Sequence, residues 1–170
     1  MFLYCILTAI VWFVIYNVVT LSLFGVPKSL SMTYYLFKNA NESLRHLFPS
    51  MMVILAMLLA PCWLEVSEGS DYQFAAFLSI VGVLFVGMSP AFMNGSLENT
   101  VHNVSAYLCA AFAMLWIILV TPYWYVIVIT AVVVTSLAIL TKTLKTSYIY
   151  WLEMIAFVST FTALSIYGWL

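Results

Sequence analysis

Six long apolar runs divide the chain, and all five Lys and Arg residues fall in two of the gaps between them. The runs lie at Phe2–Phe24, Leu47–Leu64, Phe74–Met93, Val101–Val120, Tyr123–Leu140 and Tyr148–Leu170. A helix of about 20 residues crosses a hydrocarbon core of ~30 Å, so each run has the length of a crossing. Lipid offers the backbone no hydrogen-bond partners, which leaves helix as the form such runs take. Charge content points the same way: 6% of residues are charged, against about 25% in a soluble domain. The expected fold is an all-α polytopic transmembrane helical bundle of six spans, a single integral membrane domain over residues 1–170. Five cations cannot make a basic face, so nucleic acid is excluded as a partner. The first run is longer than a signal-peptide core and has no basic flank, and is read as a retained helix.

Charge then orients the bundle. Lys28, Lys38 and Arg45 precede the second run, and Lys142 and Lys145 precede the sixth. The positive-inside rule places gaps 1, 3 and 5 in the cytoplasm, with both termini and gaps 2 and 4 outside. Glu65, Glu68 and Asp71 then face outward. The expected location is a bacterial inner membrane. Tyr and Trp residues gather at the ends of the runs, among them Trp63, Tyr72, Tyr123 and Trp124 on one side and Tyr34, Tyr35, Tyr148 and Trp151 on the other. These are headgroup belts and not a cofactor box.

The gaps differ in kind. In gap 1, Gly25 to Ser31 reads as a turn, and Ser29 or Ser31 is placed to cap a new helix. Met32 to His46 then reads as a short amphipathic interfacial helix, with Met32, Tyr35, Leu36 and Phe37 toward the membrane interface and Lys38, Asn39, Glu42 and Arg45 toward water. Pro49 is expected to kink or reset the chain as the second span begins. Gap 2 is a short acidic turn around Gly69. Gap 3 turns at Asn94-Gly95-Ser96, with Glu98 in the first turn of the next helix. Gap 4 is only Thr121-Pro122, which predicts a tight hairpin of the fourth and fifth spans.

Polar residues inside the runs are the candidates for chemistry, because an ionisable group in lipid costs about 2.5–3.5 kcal/mol on insertion scales. Glu153 stands first. It lies about 8 Å into the sixth run at 1.5 Å per residue. Its plain alternative is a carboxyl hydrogen-bonded between helices. Glu98, His102, Ser105 and Cys109 share one face of the fourth run; the alternative here is a cap and a headgroup anchor. The expected sidedness puts both histidines, His46 and His102, in the same leaflet as Glu153, with Asn17 and Ser89 near them. The expected polar pocket is therefore Asn17, Ser89, Glu98, His102, Ser105 and Glu153. Two histidines and a carboxylate also form a known zinc geometry, so His46, His102 and Glu153 are a candidate metal set. Cys5 and Cys62 lie near the outward ends of neighbouring runs, either as a disulfide or as free buried thiols.

The stretches Gly25-Val26-Pro27-Lys28-Ser29-Leu30-Ser31-Met32-Thr33-Tyr34-Tyr35, Gln73-Phe74-Ala75-Ala76-Phe77-Leu78 and Val101-His102-Asn103-Val104-Ser105-Ala106 carry a resemblance. Over most of its length the chain resembles a group of uncharacterised small polytopic membrane proteins of gut Bacteroidetes and their phages. That resemblance implies an origin and no activity. More distantly, the polar cluster is similar to that of the superfamily of alkaline ceramidases and adiponectin-receptor-like proteins, which have seven helices and a zinc site of three histidines, an Asp and a Ser. This chain departs from that pattern, with six runs, two histidines and no Asp inside a run.

Three functions fit these residues. One is a non-enzymatic membrane protein that binds lipid, a protein partner or a second copy of itself through the cytoplasm-side pocket. The second is a metal-assisted lipid hydrolase using His46, His102 and Glu153 with Ser105 or Ser89 nearby. The third is a small proton- or ion-coupled transporter or channel with Glu153 as its site.

Overall fold

The computed structural model describes residues 1–169; Leu170, the last residue of the sixth expected run, lies outside them. Among the described residues the chain is helical throughout, with no strand. The helices are α1 (Phe2–Phe24), α2 (Thr33–Ala40), α3 (Leu47–Val66), α4 (Gln73–Met88), α5 (Ser96–Val120), α6 (Tyr125–Leu140) and α7 (Tyr148–Trp169), with a tight 3-10 turn over Glu42–His46 before α3.

Four helices are long and apolar enough to cross a membrane: α1, α3 with its leading turn, α5 and α7. The other two apolar helices, α4 and α6, have 16 residues each. At 1.5 Å per residue that is about 24 Å, short of a ~30 Å core. The third run was expected to reach Met93 but stops at Met88. Pro90 is the reason, because a residue before proline is pushed out of helical geometry. Ser89 accordingly sits at φ −115°, ψ 52°, and its hydroxyl donates back to the Phe85 carbonyl at 2.6 Å. In the other direction, α5 begins at Ser96, well before the expected Val101.

Helix α3 packs between α1 and α4, α4 pairs with α5, and α7 closes the ring by meeting both α5 and α1. Close approach relies on small residues. A Cβ on Gly82 of α4 would lie 2.7 Å from the Cys109 Cβ and 2.8 Å from the Ser105 carbonyl of α5. One on Gly87 would lie 2.8 Å from the Met52 Cβ of α3. The expected hairpin of the fourth and fifth spans does not form as a packed pair. Thr121 is extended at φ −114°, ψ 155°, the chain swings away, and α6 lies along α7 instead.

The segment before α3 also departs from expectation. Of the residues expected to face the interface, Phe37 is buried in the protein while Met32, Tyr35 and Leu36 are half-buried. The Phe37 ring meets Phe24 edge-on at 5.2 Å. Met32 is the residue preceding α2, and the Ser29 hydroxyl accepts from its N–H at 3.2 Å, closing the turn that leads into the helix. Pro49 produces no break, since it falls in the first turn of α3, where its missing N–H would have had no partner. The chain changes direction earlier, at extended Asn41, whose side chain accepts from the Ser43 N–H at 2.9 Å.

Hydrogen bonds collect three of the connecting segments at one end of the bundle. The Met93 N–H donates to the Tyr35 hydroxyl at 2.7 Å, and the Ser147 hydroxyl donates to the Val26 carbonyl at 3.3 Å. All five basic residues lie in or beside these segments, so this is the basic end. At the opposite end Phe2 of α1 meets Tyr167 of α7 with ring centres 6.0 Å apart. Cys62 donates its S–H to the Phe2 carbonyl at 3.6 Å, and both Cys5 and Cys62 are free thiols.

Candidate functional site

The loop Gly25–Met32 builds the site. Gly25 leaves α1 at φ 71°, in the left-handed region that a side chain disfavours. Pro27, Ser29, Leu30 and Ser31 are then buried. A buried loop must satisfy its backbone without a helix ladder. The Lys28 carbonyl accepts from the Tyr150 N–H of α7 at 3.1 Å. The Leu30 N–H donates to Glu153 Oε2 at 2.6 Å. The Leu30 carbonyl accepts from the Thr33 hydroxyl, and the Met32 N–H donates to the Ser29 hydroxyl at 3.2 Å.

Glu153 stands less than two turns into α7, on the face that meets this loop. It lines a small cavity of about 40 Å³ together with Leu30, Ser31, Met52, Cys109 and Ala156. No cation balances it: the one ion pair among the described residues is exposed, Arg45 to Glu42 at 2.5 Å. Its carboxylate is held by a backbone N–H alone among the hydrogen bonds of the described residues.

His102 is 3% exposed and grips two loops. Its Nδ1 lies 3.0 Å from the Ser89 carbonyl and its Nε2 lies 2.8 Å from the Ser31 hydroxyl. A carbonyl can only accept, so Nδ1 carries the hydrogen, and in the neutral ring the Ser31 hydroxyl donates to Nε2. Phe92 stacks on the imidazole at 4.4 Å. Asn17 is placed in the same region by Tyr150, whose hydroxyl donates to Asn17 Oδ1 at 3.0 Å, while Asn17 Nδ2 donates to the Phe13 carbonyl at 2.9 Å. Tyr16 completes the network: its hydroxyl donates to Thr33 Oγ1, whose own hydrogen is engaged by Leu30. Outside the spans, burial pushes the Tyr35 phenol up, opposed by the Met93 N–H.

Of the expected pocket, the structure brings Asn17, Ser89, His102, Ser105 and Glu153 inside. It leaves Glu98 exposed, with its carboxylate folded over Gly95 at the start of its own helix. The candidate metal set is not assembled. His46 is exposed, and its Nε2 accepts from the neighbouring Arg45 Nε at 3.1 Å, beside a cation. His102 has both ring nitrogens engaged. Among the described residues no three His, Cys, Asp or Glu side chains gather to hold a metal ion. Zinc therefore does not fit these residues. His102 and Glu153 instead hold consecutive loop positions, Ser31 and Leu30.

Leu30, Thr33, Tyr16 and Tyr150 were not singled out by sequence reasoning, and Ser31 was read only as a helix cap. One signal was available. Gly25 to Ser31 mixes turn residues with Val26, Pro27 and Leu30, more apolar side chains than a solvated turn needs.

The opposite face of α7 forms a second feature. Between α1 and α7 runs an open groove of about 660 Å³, lined by Phe13, Val14, Asn17 and Val18 on one wall and Met154, Val158, Phe161 and Ser165 on the other, with Trp169 at its far end. Apart from Asn17, Thr162 and Ser165 the lining is apolar. Asn17 thus belongs both to the groove and to the network at the basic end. Compared with models of known families, with curated proteins and with solved structures, the chain matches none.

Proposed function

We propose that this chain is an integral membrane protein of six crossings that holds a lipid acyl chain in the groove between α1 and α7. The groove is the observation that carries the reading. Its volume falls within the roughly 300–1,000 Å³ of small-ligand sites. From Met154 to Trp169 its wall rises about 22 Å at 1.5 Å per residue, enough for a chain spanning one leaflet of a ~30 Å core. The groove opens sideways, where lipid would lie. Asn17 marks the basic end, where a headgroup would meet Lys28 and the loop segments.

In this reading the short helices α4 and α6 cross with the help of their flanking turns, Ser89–Gly95 and Thr121–Trp124. The basic end faces the cytoplasm, as the positive-inside rule requires, and the host membrane is a bacterial inner membrane. Helix α2 then lies at the cytoplasmic boundary with its aromatic face turned into the protein. A metal-assisted hydrolase draws no support from a ligand set that stays apart.

The test uses a phospholipid with a photoactivatable group on its acyl chain, in vesicles containing the protein. Adducts are expected on Val14, Val18 and Val158 in several-fold excess over the exposed α6 face at Val128 and Val132. Equal labelling of the two regions would remove the site. Sidedness is tested by single cysteines in intact cells. One at Gly69 should react with an impermeant thiol reagent, and ones at Asn94 and Lys142 should be protected; labelling at Lys142 from outside would reverse the orientation.

A further inference from the structure

Helix α7 turns a different face to α5, and that seam is not filled. Two small cavities lie along it. The first, about 40 Å³, includes Glu153 and Ser31. The second, about 20 Å³, includes Trp63 and Thr160. Both are bounded by Cys109, Ala110, Ala156 and Phe157. Small side chains facing each other leave the space. A water molecule needs roughly 10–15 Å³ of such room, so the first cavity has room for about two or three waters and the second for about one.

Trp63, which lines the second cavity, also carries a polar group without a partner. Trp63 is 2% exposed, and its indole Nε1 has no hydrogen-bond partner. The neighbouring indole of Trp116, 6.2 Å away between ring centres, donates to the Ser67 hydroxyl at 2.7 Å. A buried unpaired donor carries a desolvation cost that a water in the adjoining space relieves.

We propose that Glu153 is a proton-binding site served by buried waters along the α5–α7 seam, and that its ionised form holds the Lys28–Thr33 loop in place. The proton arrives on a seam water as hydronium. It passes to the carboxylate, leaving a neutral acid and a water. The groups that face Glu153 are few: the Leu30 N–H from the loop, and the titratable Tyr16 of α1, Cys109 of α5 and Tyr150 of α7. Helices α3 and α4 contribute only Phe48, Met52 and Val86 to its cavity. A hydrogen bond to an ionised acceptor is about twice as strong as a neutral one. Protonation therefore loosens Leu30, and through Ser31 it loosens the grip of His102 on two loops. This inference stands on the seam and not on the lipid groove.

Infrared difference spectroscopy of the full chain in vesicles, titrated from alkaline to acid, tests it. A carboxylic C=O band is expected to grow on acidification, to shift in D₂O within the time of mixing, and to be missing in Glu153→Gln. Amide exchange at Leu30, compared at one pH on the alkaline side of the carboxylic band's titration, is expected to be about tenfold faster in Glu153→Gln than in the parent. Ala110→Val, which narrows the seam, is expected to slow the D₂O shift. The proposal is overturned if the parent shows no carboxylic band at any pH where it stays folded, or if the band ignores D₂O. The parent protein alone decides this should the Gln variant fail to fold. Unchanged exchange at Leu30 in a folded Gln variant overturns the loop coupling.

Discussion

Helices α6 and α7 are neighbours, both strongly apolar, and they have opposite places in the molecule. Helix α6 buries one narrow stripe, Val126, Thr130, Val134 and Ala138, at four-residue spacing against α7. Most of the rest of it, including Val128, Val132 and Leu137, is exposed. Helix α7 meets α1, α3, α5 and α6. It carries Glu153, one wall of the groove and one wall of the seam. Hydropathy makes both helices candidates for the membrane and says nothing about which is central. Centrality depends on how many faces of a helix find protein, and here that number separates a peripheral helix from the one that carries both candidate sites.

The sharpest way to break this contrast is to truncate one apolar side chain on each helix to alanine. Leu164 of α7 is fully buried and Val132 of α6 is 61% exposed. Leu164→Ala should cost about 2–5 kcal/mol through lost contacts and a cavity, and Val132→Ala about 0.5 kcal/mol or less. Reversible unfolding in mixed micelles measures both, and comparable losses would show that α6 is not peripheral. Polar contacts give a smaller difference. Tyr150→Phe leaves the Asn17 carbonyl oxygen without its donor and should cost about 1–3 kcal/mol. Ser136→Ala removes only a hydroxyl folded back onto its own helix at Val132 and should stay within about 0.5 kcal/mol. A loss at Ser136 matching that at Tyr150 would mean that α6 makes a polar contact with a partner not yet identified.

Much of the interior site was legible in advance. Glu153, His102, Asn17 and Ser89 stood out because polar groups inside apolar helices must turn toward other polar groups. Glu98 and His46 were misjudged for one reason. Each lies at a helix start, where solvent and neighbouring charge satisfy it locally, and burial at a helix end cannot be read from spacing. The loop between α1 and α2 was read only as a turn, although it is buried and bonds to both His102 and Glu153.

The chain's own pattern determined what local rules control. Apolar runs free of charge become helices because the lipid interior leaves the backbone no other partner. Proline stops α4, and the basic residues fall into segments that meet at one end. Tertiary structure decided which helices would be neighbours, that α6 would lie outside and α7 within, and that one loop would unite the site. The two contacts that define it join residues 123 and 71 positions apart, Leu30 with Glu153 and Ser31 with His102. No local periodicity encodes pairings at such separations. They follow from the small residues at Gly82, Gly87, Ala110 and Ala156, which set how closely the helices approach and where space is left between them.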